Sequence, residues 1–583
     1  MTGVRASGAW HQGRRLRGAR GGAACPLALF VCVALLCVPA PARAQDIFPS
    51  DAREFLDRLD AAVLSRVGVQ LSGRVGPLDT LAREQLKQLA GTERPDGLPP
   101  AVACLELFLN SGRYADRPLI YVSERTMRTW LAGRLDAASA GTFRRTHRLP
   151  PACLLDEEGW GLLLATGRAT AADKSRCAAI RSLREDLPEL ADRREFRVPL
   201  DRLSLRYGAY LAQDVLRVIP AASGRWQSAE GVLSPQAASQ PAGPVATAWR
   251  QLRDAWLARD AARTDAAAGR LSDALGGAAG AAYPTPLQQS LELLYNRTRQ
   301  GTVVFAGFAA ALVLLIIAAA GGGRFARRAG LAVFAVSTTM LVAGFAARWV
   351  ISGRSWYLPP IMNQFEAVVG SAMLGALLAV VLELLWPQNW FALAAALYAT
   401  VALLMGFFLP GQMGAGIGAQ HGILASPVMA VHVAVIIVGH ALVGMTMVIS
   451  LAYLGVALFA GMGSALPSAA AGLVAAGQPG PLAAIDRCNL IVAQLAAWTV
   501  VAGTILGAYW GDFAWGRWWG WDPKETWALI TALVYVALLH ARFVTPPRAR
   551  GLVTASACLL GSGVMLFNWI VVNYFLTGKH SYA

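Results

Sequence analysis

Long apolar runs separated by short polar segments fill the second half of the chain. A helix needs about 20 mainly apolar residues to cross a bilayer, and each of these runs approaches or exceeds that length. They lie near residues 303–320, 330–351, 366–386, 390–409, 428–459, 489–510, 527–544 and 552–575. The pattern predicts an all-α polytopic membrane protein, with about eight transmembrane helices in a domain over residues 299–583.

The first 44 residues have the pattern of a secretory signal peptide. Basic residues up to Arg20 precede an apolar stretch from Cys25 to Val38, and small residues follow it. A basic start, a short apolar core and a small-residue cleavage site are typical of secretion signals. We predict a signal peptide over 1–44 that is cleaved near Gln45, with an uncleaved anchor as the alternative.

The segment that follows the leader, residues 45–298, is expected to be exported in either case. It is polar and mixed in charge, and its apolar positions follow a helical period in several stretches. Helices are predicted over 52–66, 78–89 and about 246–275, and the Ala-, Ser-, Pro- and Gln-rich segment near 221–247 is predicted to be a linker. The sequence therefore predicts a mainly helical exported domain.

The sharpest local feature of this exported domain is the turn at Gly73–Arg83. A Gly/Pro turn leads into an amphipathic helix, with Asp79 or Thr80 as the expected N-cap. Nothing in the domain forms a catalytic constellation. We interpret it as a recognition or docking domain.

The composition excludes several classes of protein. The chain has 583 residues, of which 55% are hydrophobic and only 15% charged, and its mean hydropathy is +0.44. This is too apolar for a soluble enzyme and too rich in apolar runs for a disordered protein. The net charge of +16 is spread between the leader and the membrane-flanking loops and forms no single basic stripe, so nucleic-acid binding is not expected.

Basic residues between the apolar runs predict the orientation in the membrane. Eight spans that start from an exported domain return the C-terminus to the outer side. The loops that are then cytoplasmic contain Arg324, Arg327, Arg328, Arg487, Arg542, Arg548 and Arg550, in agreement with the positive-inside rule. We predict a bacterial inner-membrane protein with the exported domain and a Trp-rich loop on the periplasmic side.

The cysteines exclude two kinds of redox or haem site. There are eight, and none forms a C-x-x-C pair, so the chain has no thioredoxin-type pair and no c-haem attachment site of its own. One disulfide among Cys104, Cys153 and Cys177 is compatible with export, but spacing does not select a pairing.

Tryptophan is concentrated in the predicted outer loop 510–527. The members of this cluster are Trp510, Trp515, Trp518, Trp519, Trp521 and Trp527. An aromatic belt is the alternative interpretation, but a belt distributes Trp over many helix ends. Indoles interleaved with Gly516 and Gly520 predict a flat aromatic platform for a large planar ligand.

Histidines point to the same outer region. Most of the seven lie in the membrane half, where ionisable side chains are functional candidates. His432 is expected about one turn inside the outer end of the fifth span, and His580 just beyond the outer end of the eighth. Two neutral imidazoles beside a Trp platform could supply the axial ligands of a haem iron.

Three further histidines of the membrane half are weaker candidates. His540 is expected in the cytoplasmic half of the seventh span, and His440 about 12 Å below His432 on the same helix. For any of these residues taken alone, a hydrogen-bonded packing role is the alternative. That alternative is preferred for His440 and His421.

The Trp-rich segment resembles a known motif. Trp515-Gly-Arg-Trp-Trp-Gly-Trp-Asp-Pro-Lys-Glu-Thr526 is similar to the WWD motif of the haem-handling proteins of cytochrome c maturation. Leu424–Val433 resembles the outer histidine segment that precedes this motif in the family. Leu539–Arg542 resembles the membrane histidine after it, and Gly578–Tyr582 the terminal outer histidine.

Two other segments extend this resemblance. Pro360–Glu366 is similar to the P-x-x-N-x-x-E start of an early helix, and Gly73–Arg83 resembles part of an exported extension that some members carry. Over about 300–583 the chain resembles the CcsA (ResC) family, the membrane subunit of the system II cytochrome c synthase.

The resemblance implies a set of haem-binding residues. His432 and His580 would be outer axial ligands, and His540 a ligand of haem in transit from the cytoplasmic side. The platform would comprise Trp515, Trp518, Trp519 and Trp521. Lys524 and Arg517 are candidate contacts of the haem propionates, whereas for Asp522 and Glu525 helix capping is an equal alternative. The bound group would be haem b, held as substrate.

The resemblance also implies an activity and partners. The family joins haem vinyl groups to the two cysteines of a C-x-x-C-H sequence in apocytochrome c, which thiol-reducing proteins would keep reduced. Residues 45–298 do not resemble the membrane spans of CcsB (ResB), so a separate CcsB-like subunit is implied. Two alternatives are a CcmC-like chaperone that delivers haem without ligation, and a structural scaffold for respiratory assembly.

Overall fold

The computed structural model contains a mainly helical N-terminal domain followed by a bundle of long apolar helices. It describes residues 47–71, 73–180, 183–211, 216–221, 226–228, 243–298, 300–321, 323–361, 363–408, 416–418, 425–462, 480–576 and 578. The predicted signal peptide 1–44, His421, His580 and most of the predicted linker 221–247 lie outside the described residues.

Helices build most of the N-terminal domain, which we number in chain order. They are α1 (Ser50–Leu56), α2 (Ala61–Arg66), α3 (Leu78–Ala90), α4 (Pro100–Leu109), α5 (Arg125–Ala132), α6 (Ala137–Thr146), α7 (Glu157–Ala165), α8 (Ala171–Arg176), α9 (Pro188–Ala191), α10 (Arg194–Leu211), α11 (Pro244–Leu257), α12 (Ala261–Ala279) and α13 (Pro286–Thr298). One apolar core, with Trp249, Trp256, Tyr114 and Phe143 among its largest buried side chains, holds them together.

Three short two-stranded antiparallel sheets complete the described part of this domain. The strands are β1 (Gly68–Leu71), β2 (Arg74–Pro77), β3 (Ile120–Tyr121), β4 (Arg148–Leu149), β5 (Arg217–Ile219) and β6 (Gln227–Ser228). In the first hairpin Gly68 pairs with Pro77 and Leu71 with Arg74. The turn contains Gly73 at φ +80°, a conformation that glycine adopts without steric cost. The prediction of a turn before a helix at Gly73–Arg83 is thus confirmed, with a hairpin in place of a simple turn.

Two of the predicted helices are each interrupted in the structure. The predicted helix 52–66 is interrupted between α1 and α2, where the Asp60 side chain accepts hydrogen bonds from Ala62 N and Val63 N and starts a new helix. The predicted helix 246–275 is likewise two helices, α11 and α12, with Asp260 capping the second. An Asp inside a helical apolar pattern marks a new N-terminus in both cases.

The predicted N-cap of α3 is wrong. The helix begins at Leu78 with Pro77 in the cap position, and no side chain caps it. Asp79 instead accepts from Arg83 Nε at 2.6 Å, and Thr80 donates to Glu292 at 2.7 Å. The side-chain oxygens of Asp79 and Thr80 therefore bind other side chains and do not cap the helix.

Eight helices in the described part of the membrane half are long and apolar enough to cross a bilayer. They are α14 (Gln300–Ala319), α15 (Gly323–Ser352), α16 (Gln364–Leu385), α17 (Trp390–Phe408), α18 (Pro427–Met462), α19 (Pro481–Trp515), α20 (Pro523–Val544) and α21 (Arg550–Phe567). The last continues through a π-helical turn, Asn568–Val572, into α22 (Asn573–Phe575). The predicted all-α polytopic membrane fold is confirmed.

The five cysteines among the described residues, Cys104, Cys153, Cys177, Cys488 and Cys558, are buried free thiols. Burial raises the pKa of Cys104 and of Cys153 to about 12 and that of Cys177 to about 11. The disulfide considered among the three N-terminal cysteines is absent from this structure.

Candidate functional site at the end of the bundle that meets the N-terminal domain

His432 lies in the second turn of α18, at the end of the bundle that contacts the N-terminal domain. Its Nδ1 atom is 2.8 Å from the carbonyl oxygen of Gly503 on α19. A backbone carbonyl only accepts, so Nδ1 carries the proton, and Nε2 is left as the nitrogen with a lone pair for a metal. This is the arrangement that orients a metal-binding imidazole.

Two glycines on α19 make room for this imidazole. A Cβ atom added at Gly507 would lie 2.7 Å from His432 Cε1, and one at Gly503 would lie 2.8 Å from a methyl carbon of Ile436. Gly503 and Gly507 are four residues apart and therefore share a helix face. The sequence analysis missed both residues, although small residues at this spacing mark close helix contacts in membranes.

The Trp-rich segment is a short loop between two helix ends. Trp510 and Trp515 belong to α19, which ends at Gly516 with φ +68°, and Trp527 belongs to α20. Of the predicted outer loop 510–527, only Gly516–Asp522 therefore lies between the two helices.

The loop is closed by a capping box at the start of α20. Asp522 caps the helix, and Glu525 Oε2 accepts hydrogen bonds from Gly520 N at 2.8 Å and from Asp522 N at 3.2 Å. Pro523 follows at the first helical position, where its missing N–H has no cost. Capping, one of the two alternatives left open by the sequence, is thus the observed role of both carboxylates.

The indole rings do not form the flat platform predicted from the sequence. Trp519 and Trp521 meet edge to face, with centroids 6.0 Å apart and planes at 87°, and Trp510 meets Trp515 at 75°. Trp510 is buried, whereas Trp518 is 53% and Trp521 is 70% exposed. The loop therefore presents separate exposed indoles on a packed aromatic base.

Trp521 has a strained backbone. Its φ is +56°, in the left-handed region that large side chains seldom adopt. Such residues cost about 1–3 kcal/mol and are concentrated at binding sites, where the surroundings enforce them. Here the bonds of Glu525 to the residues on either side of Trp521 hold the backbone and keep the indole exposed.

Two cations belong to the loop and the helix that follows it. The Arg517 guanidinium packs over Gly520, in the space that a Cβ atom would need, and Lys524 lies in the first turn of α20. Neither forms an ion pair with a carboxylate among the described residues, and Arg517 Nε is buried without a hydrogen-bond partner. Arg517 is therefore a candidate contact for an anionic group.

The C-terminal tail approaches the same loop. Gly578 packs against the Asp522 carboxylate so closely that a Cβ atom at this position would overlap it. Asp522 is itself buried. Gly578 is two residues before His580, which lies outside the described residues.

The other histidines occupy different surroundings. His540 is exposed on α20, with Nδ1 2.8 Å from its own helix carbonyl at Val536. His440 packs on Trp569 of the π-helical turn, with ring centroids 6.0 Å apart. His147 ends α6 in the N-terminal domain with φ +56°. Among the described residues, His432 is therefore the histidine whose ring is oriented by α19, the helix that leads into the Trp-rich loop.

Comparison with known proteins decides the family. A family model described as "Cytochrome C assembly protein" matches residues 362–580. Cytochrome c biogenesis protein CcsA of Synechococcus sp. strain CC9902 is 30% identical over 268 residues, which are 43% of this chain and 84% of that protein. CcsA of Synechococcus sp. strain CC9605 is 30% identical over 275 residues, with 44% and 88% covered. The chain belongs to the CcsA family.

A third relative is a longer protein than this chain. Protein NrfI of Wolinella succinogenes is 30% identical over 267 residues, but these are 44% of this chain and only 26% of NrfI. The chain thus spans about a quarter of that relative's length. The family-matched region includes His432, the Trp-rich loop and His540, while the N-terminal domain lies outside it.

Membership of the family establishes the process in which the chain takes part. This CcsA-family chain is a multi-pass membrane protein of cytochrome c maturation, a process that handles haem. The resemblance stated from the motifs is confirmed at that level.

Proposed function

We propose that this chain is the membrane subunit of a cytochrome c synthase that binds haem b at its outer, periplasmic end. His432 and His580 are the axial ligands in this proposal. The observation that carries it is the oriented imidazole of His432, whose Nδ1 is held by Gly503 on the helix that leads into the Trp-rich loop. The contact of Gly578 with Asp522 supports a tail that brings His580 to the same loop.

The other outer residues fit the parts of a haem. Exposed Trp518 and Trp521 offer apolar ring surface to the porphyrin, Trp519 packs against Trp521, and Trp515 packs against the buried Trp510. Arg517 and Lys524 supply positive charge for the two propionates. Asp522 acts on the haem indirectly, through the cap that fixes the loop.

The reaction proposed is thioether formation on haem held in this way. Each cysteine S–H of a C-x-x-C-H sequence adds across a haem vinyl C=C bond, so sulfur bonds to one carbon and hydrogen to the other. Addition needs reduced thiols and no net oxidant. Proximity of bound haem and apocytochrome c would supply much of the rate.

His540 is proposed to bind haem in transit from the cytoplasmic side. It lies on the least buried of the eight described spans, in an exposed row with Leu533 and Val544. An exposed imidazole among apolar side chains needs a polar partner in the membrane. We propose that a separate CcsB-like subunit covers this face and supplies the second ligand.

Optical spectra of the detergent-purified chain test the outer site. We expect a reduced b-type haem spectrum with the bands of bis-histidine iron, weakened in His432→Ala and in His580→Ala and restored by added imidazole. His147→Ala is the matched control, because that residue lies in the N-terminal domain. A folded wild type that binds no haem, alone or with the CcsB-like subunit, would contradict the proposal.

A second assay separates synthesis from delivery. Co-expression with the CcsB-like subunit and an apocytochrome c should give covalent c-type cytochrome, detected by haem stain after denaturing electrophoresis. Haem binding without covalent product would favour the CcmC-like delivery alternative.

A further inference from the structure

The N-terminal domain reaches into the outer end of the bundle through Arg74, at the start of β2. Arg74 Nε donates to the carbonyl oxygen of Ile417 at 2.6 Å, across 343 positions of sequence. Ile417 belongs to the segment between α17 and α18. The same guanidinium binds both carboxylate oxygens of Glu292 on α13, at 2.9 and 2.6 Å.

Two arginines of the membrane half hold the neighbouring carbonyl groups. Arg348 Nη2 donates to Gly416 O at 3.3 Å, and Arg354 Nη2 to Gly418 O at 3.2 Å. Both arginines also pair with Glu366, at 3.4 and 2.8 Å. Three successive carbonyls are thus each bound by one guanidinium, and we call this arrangement the carbonyl clamp.

The charged side chains of the carbonyl clamp are buried. The side chains of Arg74, Arg348 and Arg354 are 8%, 3% and 5% exposed, and those of Glu292 and Glu366 are each 1% exposed. Buried charges of this kind are tolerated only when paired and fully hydrogen-bonded, so loss of one partner is costly. Gly76 leaves space for the Arg74 guanidinium, since a Cβ there would lie 2.8 Å from Nη1.

The clamp lies at the depth of His432. Helices α16 and α18 both start at the end of the bundle that meets the N-terminal domain, and Gly370 on α16 faces Ile437 on α18, since a Cβ atom added at Gly370 would lie 3.5 Å from Ile437 Cδ1. Glu366 is four residues before Gly370, and His432 five residues before Ile437. At 1.5 Å per residue, both lie about 6–8 Å above this contact.

We propose that Arg74 is a positioning residue, through which the N-terminal domain fixes segment 416–418 and thereby the placement of His432. The clamped segment precedes α18, whose start is capped by the Ser426 hydroxyl accepting from Met429 N at 3.1 Å. A clamp at residue 418 and a cap at residue 426 limit the movement of the first turns of α18. The relevance to haem rests on the proposed function, but the positioning itself does not.

The test compares purified full-length variants without haem. Arg74→Gln removes the link to Ile417, and the double variant Arg74→Gln/Glu292→Gln removes it without leaving a buried carboxylate unpaired. Arg66→Gln is the matched control, because Arg66 also binds a residue of α13, Ser290 at 3.2 Å, but does not reach the clamp. Arg74→Lys, which keeps the charge, tests rescue.

Two measurements report on the clamp. Hydrogen exchange of the peptide containing 416–418 should accelerate about tenfold in both Arg74→Gln variants. The rate at which diethyl pyrocarbonate modifies His432, read by mass spectrometry, should change about threefold or more, with the rate at His540 unchanged as internal reference. Arg66→Gln should match wild type on both, and Arg74→Lys should lie between them.

Each outcome has a defined meaning. Unchanged exchange at 416–418 in both Arg74→Gln variants would overturn the clamp. Faster hydrogen exchange at 416–418 with unchanged reactivity of His432 would overturn the positioning role of Arg74. Because neither measurement needs haem, a wild type that fails to bind haem would refute the proposed function while leaving this result readable.

Discussion

Gly507 and His432 approach so closely that a single methyl group at residue 507 would stand 2.7 Å from the imidazole. No real Cβ atom tolerates that separation, so the ring or the helix would have to move. The hydrogen bond from His432 to Gly503 O, one turn away on α19, depends on the same approach.

Gly507→Ala should therefore displace the His432 ring. Inserting a methyl group into a packed helix contact costs about 1–3 kcal/mol, and we expect outer haem content to fall with partial rescue by imidazole. Optical spectra of purified protein measure this. Gly455→Ala on α18 is the control, since a Cβ there meets nothing within 4 Å; equal spectra for Gly507→Ala and wild type would exclude a steric role for residue 507.

Trp521→Ala should lower haem affinity without unfolding the bundle. Loss of one aromatic contact is worth about 1.4 kcal/mol, or roughly tenfold in the dissociation constant. Trp521→Gly should lose the same affinity while relieving the left-handed backbone. Haem titration measures both, and Trp498→Ala, which removes an indole 74% exposed on α19 away from the loop, should bind normally.

Glu106 should control the acid stability of the N-terminal domain. Burial acts to raise its pKa, but bonds from Arg259, Tyr114 and Trp256 outweigh burial and lower the pKa below the ordinary 4.5. A lowered folded-state pKa gives stability that is complete above the unfolded-state pKa and lost as the pH falls through the folded-state value.

Glu106→Gln should accordingly destabilise this domain at neutral pH by about 3 kcal/mol, since Arg259 is left without its counter-charge. The difference from wild type should shrink below about pH 4. Thermal unfolding of the full chain followed by circular dichroism measures it. The exposed pair Arg58–Glu54 offers the control Glu54→Gln, for which no pH-dependent difference is expected.

Cys104, Cys153 and Cys177 should resist thiol reagents in the folded protein. Burial blocks access and their raised pKa values suppress the reactive thiolate at pH 8. Labelling with a maleimide should proceed only after denaturation. Rapid labelling of any of the three in native protein would contradict the buried free-thiol arrangement.

The sequence predicted the spans and the family motif because both follow from local patterns. Apolar runs specify membrane helices, and a dense Trp segment is visible without any contact information. Arg74 and Ile417, by contrast, are brought together by the docking of two domains, which no local pattern records. The closeness of Gly507 to His432 depends on the rotation of two helices about their axes, which hydropathy does not determine.

The errors in the predicted helix cap and in the predicted arrangement of the indoles also come from contacts that local sequence does not show. Asp79 and Thr80 are good capping residues by type, yet other side chains bind them. The predicted flat platform assumed that clustered indoles stack, whereas steric packing and ring electrostatics favour the edge-to-face pairs seen between Trp519 and Trp521.

The π-helical turn Asn568–Val572 places one extra residue in the last span. A π-helical turn contains one residue more than an α-helical turn, so the extra residue is accommodated within a single wider turn and the residues that follow keep their helix face. Deleting one residue inside this turn would restore a regular helix without rotating the tail. The same deletion in the regular helix α21 would rotate everything that follows by about 100°, because each residue of an α-helix turns the chain by that angle. The end of the last span thus tolerates a change of length at the π-helical turn that it would not tolerate one turn earlier.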